Sequence, residues 1–123
     1  MSSHRFCWVE IYVQDMPRAK AFYEGVLDCK LEKLNSPEIE MWAFSTDGGN
    51  PGAGGALVKM PGVASGGNST LAYFACEDCA EQESRVLRFG GRIQRAKLSI
   101  GEYGFITLAV DTEGNLFGLY SQK

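Results

Sequence analysis

Near the N-terminus the sequence reads Cys7-Trp8-Val9-Glu10-Ile11-Tyr12-Val13, and the pattern of the whole chain follows from this segment. β-Branched and aromatic residues dominate it, which is typical of a β-strand. Asp15 follows as a candidate helix N-cap, and Pro17 is tolerated in the first helical turn. Apolar residues then recur at helical spacing, at Ala19, Phe22, Tyr23, Val26 and Leu27. The pattern predicts a strand followed by a helix from about Met16 to Leu27.

The second half of the chain repeats this order. Leu71–Cys76 has the composition of a strand, and Asp78 is the second N-cap candidate. A helix is predicted from about Cys79 to Phe89, and Gly90-Gly91 ends it. Asp15 and Asp78 lie 63 residues apart in a chain of 123 residues. The spacing indicates a duplicated module.

Three more strands are predicted in each half of the chain. They are Cys29–Lys33, Met41–Thr46 and Gly55–Met60 in the first half, and Arg92–Ala96, Phe105–Val110 and Leu116–Tyr120 in the second. A stretch rich in Gly and Ser, Pro61–Ser69, has the composition of a linker. The predicted fold class is α+β, with tandem βαβββ modules at about 5–60 and 70–123 in a single domain of residues 1–123.

Composition narrows the range of partners and locations. The chain is 45% hydrophobic and 22% charged, as expected of a globular domain. Its net charge of −3 argues against nucleic acid or an anionic membrane as partner. No apolar run approaches the roughly 18 residues of a membrane helix, and the polar N-terminus does not resemble a signal peptide. We therefore expect a cytoplasmic protein whose four cysteines are free thiols.

Two segments together resemble one known family. The first is Trp8–Asp15 with Arg18-Ala19 and Ala21-Phe22-Tyr23, and the second is Asp111-Thr112-Glu113-Gly114-Asn115-Leu116-Phe117-Gly118-Leu119. Their order is similar to that of the vicinal oxygen chelate superfamily, the group of glyoxalase I, bleomycin-resistance proteins and extradiol dioxygenases. The resemblance implies that the modules curl into an open barrel with the helices outside and a central cleft. It also implies a divalent metal in that cleft, held by residues of the first and last strand of each module.

The positions that would hold this metal carry other residues here. By the resemblance they are Trp8, Leu71, Gly118 and the stretch Gly55–Leu57, where no imidazole or carboxylate stands. The single histidine, His4, lies in the polar N-terminal tail. Because zinc, iron and nickel sites draw on several His, Cys or carboxylate ligands, we expect no metal and no other cofactor.

Cys76-Glu77-Asp78-Cys79 is a CxxC motif with two possible meanings. A zinc site would need two further ligands, and no second CxxC is present. A redox motif favours the first cysteine at a helix N-terminus, whereas here Cys79 begins the helix. The pattern therefore favours a structural role, with a redox role left open.

Alternation along the first strand predicts which residues line the cleft. Val9, Ile11 and Val13 form the aliphatic face that packs under the helix, so Trp8, Glu10 and Tyr12 face the cleft. The remaining candidates for contact with a ligand are Trp42, Tyr73, Gly118 and Tyr120. Aromatic side chains here either stack on a planar or apolar ligand or fill the barrel, and the sequence leaves both open.

Glu10 is the candidate catalytic residue. A carboxylate flanked by Trp8 and Tyr12 in mid-strand is expected to be partly desolvated, which would suit a general base. The alternative is a structural role in an ion pair or a hydrogen bond to a tyrosine. The leading hypothesis is a protein that binds a small organic molecule without metal, similar to bleomycin-resistance proteins. The alternative is a lyase or isomerase that uses Glu10 as base, and either one is compatible with a homodimer.

Overall fold

The structure, a computed structural model, describes residues 8–35, 39–44, 53–68 and 71–123, with the backbone alone at Tyr103. His4, Cys7 and Ser69 lie outside the described residues, as do Ser45 and Thr46 at the end of a predicted strand. The described elements are β1 (Trp8–Tyr12), α1 (Met16–Leu27), β2 (Glu32–Lys33), β3 (Glu40–Ala43), β4 (Gly54–Lys59), β5 (Ala72–Ala75), α2 (Cys79–Arg88), β6 (Arg92–Ser99), a 3₁₀ turn (Gly101–Tyr103), β7 (Phe105–Val110) and β8 (Leu116–Ser121).

The strands form two mixed sheets of four strands with the same internal order. Sheet one has the order β1-β4-β3-β2 and sheet two the order β5-β8-β7-β6. In each, the strand before the helix pairs in parallel with the last strand of its module, and the other pairings are antiparallel. The sheets curl without closing into a barrel. The predicted α+β fold of two βαβββ modules is confirmed.

Both helices begin at the predicted aspartates. The Asp15 carboxylate accepts a hydrogen bond from the Arg18 amide at 3.1 Å, and the Asp78 carboxylate accepts one from the Ala80 amide at 3.0 Å. Each satisfies an amide that the first helical turn leaves unpaired. α1 has the predicted bounds, and α2 ends one residue before Phe89. No helix among the described residues is long and apolar enough to cross a membrane.

Helix α1 packs against both sheets. The ring centre of Tyr23 lies 5.8 Å from that of Phe44, next to β3 in sheet one, and 5.4 Å from that of Phe117 in sheet two. The rings of Phe44 and Phe74 also meet, with centres 5.2 Å apart. We call the side of each sheet that packs toward the helices its helix face, and the opposite side its open face. The helix faces of the two sheets therefore meet across α1.

A polar turn between β7 and β8 joins the two modules. Asp111 accepts a hydrogen bond of 2.6 Å from the hydroxyl of Tyr23 in α1. The Asn115 amide donates to the carbonyl of Tyr12 at 2.8 Å, and its oxygen accepts from the amide of Gly66 at 2.6 Å. Because these bonds span the linker and both modules, the turn fixes how module one sits on module two.

Glu113 of the same turn is also held by several hydrogen bonds. Its carboxylate accepts hydrogen bonds from the amides of Gln14 and Asp15 at 2.9 Å and from the Arg18 guanidinium at 2.6 Å. Burial alone would raise the pKa of Glu113. The hydrogen bonds from Arg18, Asp15, Gln14 and Thr112 outweigh it and lower the pKa to about 2.

Candidate functional site

The open face of sheet one carries Trp8, Glu10 and Tyr12, which together we call the Glu10 patch. The Glu10 carboxylate accepts a hydrogen bond from the Trp8 indole at 3.1 Å and one from the Tyr12 hydroxyl at 2.7 Å. The bond to Glu10, then burial, raises the pKa of Tyr12. Trp8 is 43% exposed, so much of its ring faces solvent. Strand alternation had correctly placed these three side chains on one face.

The environment of Glu10 differs from the one expected. Glu10 is exposed rather than partly desolvated, so the reason given for its role as a base does not hold. Each carboxylate oxygen accepts one hydrogen bond from a neighbouring aromatic side chain. None of the ion pairs formed by the described residues includes Glu10. The geometry thus matches the hydrogen-bonded alternative and gives no support to an ion pair.

The open face of sheet two carries Tyr73, Gly118 and Tyr120, which we call the Tyr73 patch. Tyr73 is 47% exposed, and its ring lies directly over Gly118. A Cβ atom at position 118 would come within 2.3 Å of the Tyr73 ring. A depression of about 400 Å³ beside them is lined by Tyr73, Ala75, Ile100, Ile106 and Tyr120. The absence of a side chain at Gly118 is therefore what allows an aromatic ring to cover this strand.

Trp42 was predicted to line the cleft, but it lies on the helix face. It is in register with Leu57, which is in register with Ile11, and partners in adjacent strands share a face. The ammonium of Lys20 in α1 stands 3.4 Å from the centre of the Trp42 ring. This correction removes Trp42 from the open-face site.

Two cavities lie where the modules meet. The larger, about 490 Å³, is lined by the helix-face residues Val9, Ile11, Phe44 and Phe74 and also by Tyr73, among others. Val9, expected to pack under the helix, is 37% exposed there. The smaller, about 180 Å³, adjoins Glu10 and Tyr12. The Glu10 patch therefore borders this cavity at its edge.

The residues at the family's metal positions do not fit a metal. The indole nitrogen of Trp8 is a hydrogen-bond donor with no lone pair to offer, and it already donates to Glu10. Leu71 has an aliphatic side chain, and the Tyr73 ring occupies the space over Gly118. Among the described residues, no three His, Cys, Asp or Glu side chains lie close enough together to hold an ion.

The environment of the two cysteines in the CxxC motif favours a structural role. Cys76 is half-buried, and burial, followed by the nearby Cys79, raises the pKa of its thiol to about 11. Cys79 is fully buried at the start of α2, where the Thr107 hydroxyl lies 3.6 Å from its sulfur. Since the thiolate is the reactive form, a raised pKa makes Cys76 a poor redox nucleophile.

Asp111, Glu113 and Asn115 belong to the segment that resembles the family. The sequence did not predict that they form a hydrogen-bonded cluster. Their partners lie about a hundred residues away along the chain, for example Tyr12, 103 residues before Asn115. The Asp-Thr-Glu-Gly-Asn run lies between the predicted strands Phe105–Val110 and Leu116–Tyr120. Its three carboxylate or amide side chains in five residues were the available signal of a second role.

Two mixed βαβββ sheets with helices on one face and aromatic patches on the other define a paired-module fold of the glyoxalase type. The sequence signature of the Glyoxalase/Bleomycin resistance protein/Dioxygenase superfamily matches residues 5–119. The chain belongs to this family, which is part of the vicinal oxygen chelate superfamily. A search of curated proteins found no match.

Solved structures of the same fold are distant in sequence. A glyoxalase I mutant from Zea mays superposes with a TM-score of 0.73 at 22% identity, over 94% of this chain and 46% of that one. A glyoxylase/bleomycin resistance protein/dioxygenase domain from Frankia sp. EAN1pec gives 0.73 at 15% identity, over 99% and 100%. TnmS3, an antibiotic binding protein from Streptomyces sp. CB03234, gives 0.70 at 20% identity, over 100% and 99%. The chain thus spans about half the length of the maize protein, and these likenesses establish the fold alone.

Proposed function

We propose that this protein binds a small organic molecule on its aromatic open faces and uses no metal to do so. The observation that carries the proposal is the Tyr73 ring over Gly118. At the position where the family resemblance implies a metal-binding glutamate, this chain has a glycine covered by an aromatic surface. Such a surface suits stacking and apolar contact with a ligand.

Exposure of the patches supports the same proposal. Trp8 and Tyr73 are large aromatic residues, and they are 43% and 47% exposed. Exposed aromatic clusters on a soluble fold often mark binding sites. TnmS3, which shares the fold, is described as an antibiotic binding protein. We propose by analogy that the ligand is of drug-like size and carries an apolar body.

We also propose that a second copy of the chain completes the cleft. The helix faces meet across α1, with Phe44 and Phe74 in contact, so these ring contacts within one chain are made on the sides of the sheets opposite the two patches. A ligand would then be held between the Glu10 patch of one copy and the Tyr73 patch of another, as a symmetric dimer would provide.

The binding proposal is tested by a thermal-shift screen of chelator-treated protein against metabolites and antibiotics. A ligand that binds the native state raises the melting temperature by mass action. Trp8→Ala and Tyr73→Ala should each weaken a hit about tenfold or more. Leu87→Ala is the control, because Leu87 is 65% exposed on α2, on the opposite side of the sheet. Equal losses in all three variants would contradict the proposal.

The two-copy cleft is tested by mixing Trp8→Ala chains with Tyr73→Ala chains. In a composite site, half of the randomly exchanged dimers are mixed, and each mixed dimer regains one intact site of two. Binding capacity should return to about a quarter of the wild-type value. Formation of mixed dimers without any recovered binding would refute the composite cleft, as would a monomer in light scattering.

The alternative function is a metal-independent lyase or isomerase with Glu10 as general base. One observation favours it: Glu10 is exposed on the open face, where a substrate could reach it. Under this alternative, Glu10→Gln removes turnover by about a hundredfold or more while ligand binding persists. A variant that retains turnover would eliminate the alternative and leave the binding proposal unaffected.

A further inference from the structure

We propose that the ligand is an organic cation, a quaternary or protonated amine on an apolar body, whose charged group lies against Glu10. The inference rests on the proposed function and assigns a chemical class to the ligand of the same site. Three features support it: the negative charge of Glu10 beside a cavity, nearby hydrogen-bond donors that already have acceptors, and exposed aromatic rings.

The first support is the lining of the cavity of about 180 Å³ next to Glu10 and Tyr12. Glu10 is the one charged side chain among its described lining residues. The carboxylate receives hydrogen bonds from neutral groups only, and none of the ion pairs of the described chain involves it. Its charge is held in place without being neutralised.

The second support is that the donors near Glu10 already have acceptors. The Trp8 indole and the Tyr12 hydroxyl both donate to the Glu10 carboxylate. The Asn115 amide, which also lines the cavity, donates to the Tyr12 carbonyl and to Asp111. An anionic ligand would meet a like charge and donors that are already engaged, so the site selects against it.

The third support is the pairing of this carboxylate with aromatic surface. Trp8 and Tyr12 contact the carboxylate through the N–H and O–H groups at their ring edges, which brings their aromatic faces close to it. Aromatic faces attract cations through their quadrupole. A carboxylate between two such rings attracts an ammonium both by its charge and by the ring faces. A trimethylammonium group is also small enough for the adjoining cavity, which Glu10 and Tyr12 line and Trp8 does not.

The experiment compares the affinities of choline and of 3,3-dimethyl-1-butanol (dimethylbutanol below), its uncharged carbon isostere. Both are measured by heteronuclear NMR of the full chain. The chain has two tryptophans, so two indole N–H signals report separately. The Trp8 signal lies in the site, while Trp42 on the helix face serves as internal reference and is assigned with Trp42→Phe. Choline should bind about tenfold more tightly than dimethylbutanol, with the Trp8 signal moving and the Trp42 signal still.

Two matched variants measure how much the charge of Glu10 contributes to choline binding. Glu10→Gln should bring choline down to the affinity of dimethylbutanol and leave dimethylbutanol unchanged. Glu40→Gln is the control, because Glu40 accepts a similar hydrogen bond of 3.1 Å from the indole of Trp42, away from the open face. It should preserve the preference for choline.

Equal affinities for the two probes, or a preference that survives in Glu10→Gln, would overturn the inference. In that case the proposed function would still stand if apolar compounds bind in a manner that depends on Trp8. The proposed function itself fails only when no compound binds in that manner. The two failures are therefore distinguishable.

Discussion

Replacing Glu113 with glutamine should destabilise the protein by about 2 to 3 kcal/mol at neutral pH. The pKa of Glu113 falls from a usual value of 4.5 to about 2, and a shift of this size corresponds to about 3 kcal/mol of stability. Because the Arg18 side chain is 53% exposed, solvent screens part of that interaction, which sets the lower limit of the range. Glutamine keeps the size and one oxygen but loses the charge.

The pH dependence of this loss follows from the direction of the shift. Since the pKa of Glu113 is lower in the folded state, its stabilisation is fully present above the unfolded value near 4.5. It is lost as the pH falls through about 2. The difference in unfolding free energy between wild type and Glu113→Gln should therefore narrow by roughly half between pH 7 and pH 3.

Urea unfolding at the two pH values, followed by circular dichroism, measures this difference. Glu81→Gln is the matched control, because the Glu81 side chain is 61% exposed in its pair with Arg85. That variant should change the unfolding free energy by less than about 0.5 kcal/mol at either pH. A Glu113→Gln protein as stable as wild type at pH 7, or a difference that does not vary with pH, would refute the reasoning.

Three further predictions concern packing and thiol chemistry. Gly118→Ala should displace the Tyr73 ring and lower the free energy of unfolding by about 1 to 3 kcal/mol, measured by thermal unfolding. Adding Tyr73→Ala should recover most of that loss, whereas a Gly118→Ala protein as stable as wild type would argue against the contact. Tyr23→Phe should lower the free energy of unfolding in urea by about 1 to 3 kcal/mol, because it removes the hydroxyl that donates to buried Asp111. A loss smaller than the measurement error would contradict this prediction. Cys76 should alkylate far more slowly than free cysteine at pH 8 in mass-spectrometric assays, since burial raises its pKa to about 11, and rapid labelling would contradict this.

Local signals in the sequence were sufficient for most of the fold. The bounds of α1 follow from Asp15 and from the apolar spacing after it, and both signals act within a few residues. β6 was predicted to end at Ala96, yet it continues to Ser99. Two register shifts against β7 let the strand continue, and such irregularities depend on the neighbouring strand rather than on local composition.

The site was predictable only within single strands. Alternation placed Trp8, Glu10 and Tyr12 together because they lie on one strand with a period of two. Trp42 was misplaced because its face depends on its register with β4, which a short strand of four residues does not reveal. The partners of Glu113 lie up to 99 residues away, so no local pattern announced that contact.

The tightest compound from the screen is used in a calorimetric titration, which tests whether the aromatic open faces bind a ligand without metal. It is titrated into chelator-treated wild-type protein, into the same protein with zinc restored, and into chelator-treated Trp8→Ala. We predict equal affinity for the first two and a loss of about tenfold or more for the third. Tighter binding when zinc is restored, or equal affinity in Trp8→Ala and wild type, would contradict the claim that the aromatic open faces hold the ligand without metal.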